Sequence, residues 1–199
     1  MRFTALGSSI IYHLSSMKIG IYGGSFNPIH FGHIGLVKWV AEHSDLDEVW
    51  LMVSPNNPLK VNAQLQGEYD LRTNFAARLD AARKALAETE CSKPLRASDF
   101  EDSLPRPSYT ANTLRELQKA YPQHEFSLII GADNWAIIEQ WKEYDFVLQN
   151  FRLFVYPRQG AELFPRPDLP AKDVVLCSNA PLFNISSTEL RAQLAARHS

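Results

Sequence analysis

Residues 18–33 read KIGIYGGSFNPIHFGH, and their order decides the fold. Ile19, Ile21 and Tyr22 lie in a short run of β-branched and aromatic residues, which favours a strand over 18–22. The run ends in Gly23 and Gly24. From about Gly32 to Glu42 the period changes, with Ile34, Val37 and Val40 recurring at helical spacing. A strand, a glycine turn and a helix in direct succession form the opening unit of an alternating α/β domain.

Working outward, the alternation recurs. Residues 48–54 (EVWLMVS) read as a second strand, and 70–87 as a long helix with Leu71, Phe75, Leu79, Ala82 and Leu86 on one face. A strand is expected over 95–100 and a helix over 110–121. The most apolar strand, 126–130, runs straight into Gly131, Ala132 and Asp133. Two short helices are expected over 134–141 and 144–150, strands over 152–156 and 174–177, and a closing helix over about 186–197. Between the last two strands, Pro157, Pro165, Pro167 and Pro170 exclude regular structure. Near-continuous apolar strands separated by amphipathic helices predict a doubly wound, mostly parallel, Rossmann-like sheet with helices on both faces. In such a sheet, ligands bind beyond the C-terminal strand ends.

Composition removes other classes. Of 199 residues, 20 are Lys or Arg and 22 Asp or Glu, a net charge of −2, which gives no general basic face for nucleic acid. Apolar residues reach 45%, too many for a disordered chain. No apolar run is long enough to span a membrane. Cys91 and Cys177 lie far apart and read as buried thiols of a reducing, cytoplasmic compartment. Residues 1–16 (MRFTALGSSIIYHLSS) are broken by Gly7, Ser8, Ser9 and His13 and lack an A-x-A site, so they read as a poorly ordered extension rather than a signal peptide. Residues 17–199 then form a single domain.

Each motif falls just after a strand. In residues 23–33, Gly23 and Gly24 let backbone approach a ligand, so that N–H groups of Gly24, Ser25 and Phe26 can face an anion. The helix that follows adds a partly positive N-terminus. His30 and His33, three apart, share one face of its first turn and can donate to phosphoryl oxygens. The same pair also fits a cap or two zinc ligands, but no third ligand lies nearby in the sequence. Residues 54–60 (SPNNPLK) form a turn-rich loop ending in Lys60. In residues 107–114 (PSYTANTL), Thr110 or Asn112 can cap the next helix. In residues 129–134 (IIGADN), Asp133 stands just past a buried strand, where it can accept hydrogen bonds from ribose hydroxyls. In residues 185–191 (ISSTELR), Ser186 and Glu189 fit a capping box, and Ser187, Thr188 and Arg191 at a helix start can cradle phosphate.

The stretch GGSFNPIHFGH resembles the (T/H)-x-G-H signature of the nucleotidyltransferase superfamily, and its longer form resembles the bacterial nicotinate-nucleotide adenylyltransferases. The resemblance runs over about residues 17–197. It implies transfer of the adenylyl group of ATP to nicotinate mononucleotide, giving deamido-NAD and pyrophosphate. By the same resemblance, His30, His33 and Arg191 serve catalysis. Gly23, Gly24, Ser25, Phe26, Asp133, Ser187 and Thr188 join them in binding ATP. Asn56, Asn57, Lys60, Tyr109, Thr110 and Trp141 bind the mononucleotide, with Trp141, eight residues past Asp133, stacking on the pyridine. Leu59 stands where the family has His, and Asn112 where it has Asp. Arg158, Gln159 and Gly160 resemble the family's R-P-G and read as structural. No carboxylate cluster offers a cage, so no metal site of the protein's own is expected, and Mg²⁺ rides on the ATP phosphates. The other readings are a nicotinamide mononucleotide or phosphopantetheine acceptor, a non-catalytic nucleotide sensor, and a zinc module built on H-x-x-H.

Overall fold

The structure is a computed structural model and describes residues 15–55, 75–183, 185, 187 and 190. The expected N-terminal extension therefore falls largely outside the described residues. The elements are β1 (Lys18–Gly24), α1 (Phe31–His43), β2 (Glu48–Val53), α2 (Phe75–Ala87), β3 (Leu95–Ser98), α3 (Thr110–Ala120), β4 (Glu125–Gly131), α4 (Ala132–Trp135), α5 (Tyr144–Asn150), β5 (Arg152–Tyr156) and β6 (Asp173–Leu176). Two 3₁₀ turns, Phe100–Ser103 and Ile138–Gln140, interrupt the connections.

The strands form one sheet in the order β3-β2-β1-β4-β5-β6, and every pairing is parallel. The order reverses between β1 and β4, which opens a crevice at their C-terminal ends. Register brings those ends level: Tyr22 pairs with Ile129, two residues before Gly24 and Gly131 respectively. The pleat sends alternate side chains to opposite faces. Leu51, Ile129 and Phe154 pack with Val37 and Val40 of α1 on one face. Met52, Leu128 and Leu153 pack with Leu114 of α3 and Val147 of α5 on the other. The sheet is thus buried on both sides, as its near-continuous apolar strands require.

Three expectations change. The strand expected over 95–100 stops at Ser98, because Phe100 opens a 3₁₀ turn. The single helix expected over 134–141 divides into α4 and the Ile138–Gln140 turn, which leaves Trp141 just beyond helical backbone. The long helix expected over 70–87 is described as Phe75–Ala87, with 70–74 outside the described residues. Of the closing helix only Ser187 and Leu190 are described, both helical.

The proline-rich stretch after β5 contains neither helix nor strand, apart from a bridge between Arg158 and Ala161. It is pinned where Trp135 Nε1 donates to the Phe164 carbonyl at 3.0 Å. Both cysteines are free thiols. Among the described residues, no helix is long and apolar enough to cross a membrane.

Candidate active site

One wall of the crevice follows directly from β1. Ser25 and Phe26, the residues after Gly24, are both buried. The unusual backbone of this turn lies at Phe26, whose φ of 44° is a region that bulky residues rarely adopt. A Cβ on Gly24 would sit 3.0 Å from the Phe26 ring, so glycine there is what lets the ring fold back. The Ser54 N–H donates to the Gly24 carbonyl at 2.8 Å, and Arg78 Nη1 donates to the carbonyls of Ser25 and Ser54.

His30 and His33 meet at the start of α1. Their rings stack with centroids 3.7 Å apart. The His30 backbone N–H donates to His33 Nδ1 at 3.3 Å, so in the neutral His33 ring the proton sits on Nε2. Phe26 meets His33 edge-on at 5.1 Å and fixes its plane. Both His30 ring nitrogens are buried, and the ring sits in a reciprocal capping box with His33 at the start of α1. Burial, and then the nearby Arg158 cation, hold the His30 pKa below its ordinary value. Near neutral pH His30 is therefore an uncharged ring with one N–H to donate.

The far end of the chain returns to this turn. Ser187 Oγ donates to the Pro28 carbonyl at 3.0 Å, so the two glycine- and serine-bearing motifs at opposite ends of the sequence share one site. Thr188 and Arg191 lie outside the described residues, as do Asn56, Asn57, Leu59 and Lys60 of the loop after β2.

The opposite wall is built on α3. Tyr109 takes the N-cap position and no side chain caps the helix. The expected cap by Thr110 or Asn112 fails because both lie inside the first turn. Asn112 instead accepts from Arg115 at 3.2 Å. The first N–H groups of α3 are thereby left without a side-chain cap beside the crevice. Trp141 stands half-buried nearby, its indole N–H without a partner among the described residues. Lys142 Nζ lies 4.6 Å from the centre of the Tyr109 ring. Behind them Glu101, buried on the turn after β3, accepts from the Thr113 hydroxyl at 2.8 Å. Burial pushes the Glu101 carboxyl above its usual range, against the hydroxyls of Thr113, Ser54 and Ser108.

A cavity of about 410 Å³ spans the two walls, from Gly24, Phe26 and His33 to Tyr109, Thr110 and Trp141. A second cavity of about 350 Å³ adjoins it, between His30 and Leu36 on one side and Arg158 and Phe183 on the other. Asp133, in the first turn of α4, lines the larger one. Gly131 is required beside it, since a Cβ there would run into Asp133 Oδ1.

Arg158 reads differently in the structure from the purely structural residue expected. It lines both cavities, lies 3.6 Å from Asp133, and donates to the Tyr156 hydroxyl at 3.3 Å. Tyr156 in turn meets the Tyr22 hydroxyl at 3.1 Å. Burial opposes the Arg158 charge, but the Asp133 carboxylate beside it and the Tyr156 hydroxyl that accepts from it keep the guanidinium charged. Its place just past the end of β5, where ligands of such sheets bind, was the available signal. Arg78 also left a trace, as a cation on the apolar stripe of Phe75, Leu79, Ala82 and Leu86. Glu101 left none. Among the described residues, no three His, Cys, Asp or Glu side chains converge to hold a metal ion.

Comparison with known proteins identifies the family. The cytidylyltransferase-like family matches residues 21–193. A protein of Bacteroides thetaiotaomicron named a probable nicotinate-nucleotide adenylyltransferase is 42% identical over 180 residues, which cover 90% of this chain and 83% of that one. A protein of Cytophaga hutchinsonii with the same name is 46% identical over 176 residues, 88% of this chain and 84% of its own. The solved structure of Plasmodium falciparum nicotinic acid mononucleotide adenylyltransferase complexed with NaAD superimposes with a TM-score of 0.68 at 20% identity, covering 88% of this chain and 83% of that one. The last likeness concerns the fold. By the family match and the identity to these relatives, the chain belongs to the cytidylyltransferase-like family and, within it, to the nicotinate-nucleotide adenylyltransferases.

Proposed function

We propose that this enzyme transfers the adenylyl group of ATP to nicotinate mononucleotide, yielding deamido-NAD and pyrophosphate in the synthesis of NAD. One observation carries the reading. The glycine turn and His33, with His30 stacked on it and lining the adjoining cavity, face an aromatic, uncapped helix start at the sheet's reversal point. The first wall suits a triphosphate and the second a flat, negatively charged ring.

An oxygen of the mononucleotide phosphate attacks the α-phosphorus of ATP in line. The bond from that phosphorus to the oxygen bridging to the β-phosphorus breaks, and pyrophosphate leaves. The attacking phosphate is ionised near neutral pH, so no general base is needed, and catalysis consists of positioning and charge stabilisation. The backbone N–H groups of Gly24, Ser25 and Phe26, following Gly23, line the triphosphate. His30 and His33 donate to its oxygens, with His33 nearer the reacting phosphorus. Ser187, Thr188 and Arg191 hold the β and γ phosphates. Asp133 accepts from a ribose. Tyr109 and Trp141 flank the pyridine, the first N–H groups of α3, from Thr110 on, face its carboxylate, and Asn56, Asn57 and Lys60 lie toward the mononucleotide phosphate. Mg²⁺ bound to the phosphates of ATP would neutralise part of their charge.

The test is pyrophosphate release with ATP and either nicotinate or nicotinamide mononucleotide. Release is expected with both present in the nicotinate reaction and slower with the amide. Silence with both acceptors overturns the reading.

A further inference from the structure

Ser54, at the end of β2, lies between two buried charged side chains that hold opposite walls of the cavity. On one side the Arg78 guanidinium, 4% exposed, donates to the carbonyls of Ser25 and Ser54, the second at 2.9 Å. It thereby ties α2 to the glycine turn and to the strand end at once. On the other side Glu101, 6% exposed, holds Thr113 in the first turn of α3. The Ser54 and Ser108 hydroxyls lie close enough to favour the Glu101 carboxylate, yet its Oε2 and Ser108 Oγ make no well-formed hydrogen bond among the described residues. Ser25, Ser54, Glu101 and Ser108 all border the larger cavity. Charges buried this deeply oppose folding unless their hydrogen bonds are made. Well-packed apolar residues would fill the same space more cheaply, so retention of two such groups back to back behind one cavity points to a demand on geometry.

We propose that Arg78 and Glu101 are paired positioning residues on either side of Ser54. Arg78 aims the turn of Gly24, Ser25 and Phe26 at the triphosphate. Glu101, through Thr113, aims the start of α3 at the pyridine. Because both stand beside the same strand end, Arg78 bonded to it and Glu101 bordering the cavity with it, they set the distance between the α-phosphorus of ATP and the attacking phosphate without touching either. Arg78 also places a positive charge behind an anion-binding turn, where little water intervenes to screen it. This rests on the adenylyl-transfer reading.

The roles separate by substrate. Arg78→Met is expected to raise the KM for ATP at least about tenfold, as 1.4 kcal/mol corresponds to that factor, and to change that for the mononucleotide less than twofold. Arg78→Lys, which keeps the charge and loses the fork, falls between. Glu101→Ala gives the converse, a tenfold rise for the mononucleotide alone, and Glu101→Gln, which keeps a carbonyl oxygen for Thr113, restores most of it. Thr113→Val removes the hydroxyl with little change of shape and reproduces Glu101→Ala, so the test survives if that variant fails to fold. Calorimetric titration with each substrate alone follows the same split. Equal shifts in both constants, or constants within twofold of the unmodified enzyme in cooperatively melting variants, overturn the proposal. An unmodified enzyme inactive with both mononucleotides overturns the function instead.

Discussion

The two walls of the cavity are assembled by opposite means. One is an unbroken stretch of chain from Gly23 to His33, shaped by the left-handed backbone of Phe26 and by two histidines stacked at 3.7 Å. The other gathers Glu101, Ser108 and Tyr109 from the connection between β3 and α3 and Trp141 from the one before α5, and its central feature is a helix start without a side-chain cap. The first wall offers backbone and imidazole donors, which suit spread-out phosphate charge. The second offers flat apolar faces with a few polar groups behind them, which suit recognition of a ring. Chemistry and recognition are thus divided between a local motif and a tertiary assembly.

If that division holds, damage to the first wall appears in turnover. His33 is fixed by Phe26 and by the His30 N–H, and its Nε2 carries the proton in the neutral ring. His33→Ala is expected to lower kcat at least about 100-fold, the usual cost of a preorganised transition-state donor. The mononucleotide KM should stay close to normal. Stopped-flow measurement of pyrophosphate release reads both. Near-normal turnover would remove His33 from the reaction and make this wall a binding surface only.

Damage to the second wall appears in affinity. Trp141→Ala loses ring stacking of about 0.5–1.5 kcal/mol, which raises the mononucleotide KM by up to about tenfold and leaves the ATP KM alone. An effect confined to ATP would place Trp141 on the other side of the cavity and break the comparison.

The same contrast explains what the amino-acid order reveals. Strand, glycine turn, histidine pair and helix lie within one stretch, so periodicity and turn chemistry place them together before any tertiary contact is known. The alternation over the rest of the chain implies a parallel sheet, because near-continuous strands such as residues 126–130 must be covered on both faces. The strand order is not legible in this way, since no local pattern says that β4 returns to lie beside β1. Glu101 is invisible for a similar reason. An acid beyond a strand end is ordinarily a surface residue, and only the packing of α3 buries it against Thr113. Arg158 and Arg78 are intermediate cases, one signalled by its place past β5 and the other by its intrusion into an apolar stripe. The expected cap at Thr110 or Asn112 fails by one or three positions, a small error in sequence that converts a closed helix end into an open one.

The smallest expected effect, a difference in pH dependence, contrasts the walls most directly. His30 has its pKa lowered from an ordinary 6.5, by burial first and the Arg158 cation second. Its contribution to stability is full above that value and is lost as pH falls through the lowered one, because the unfolded chain then takes the proton more readily. Glu101 has its pKa raised from an ordinary 4.5 by burial. Its contribution is full below that value and is lost as pH rises through the raised one, because the folded chain resists giving up the proton. Thermal melts of the unmodified enzyme, His30→Gln and Glu101→Gln across this range should therefore show difference curves of opposite slope. Relative to the unmodified enzyme, His30→Gln gains toward acid and Glu101→Gln gains toward neutral pH. The carboxyl and the imidazole are thus each biased by burial toward the uncharged form, one by keeping its proton and the other by releasing it. A flat difference curve for either variant would mean that its group is solvated in the folded enzyme.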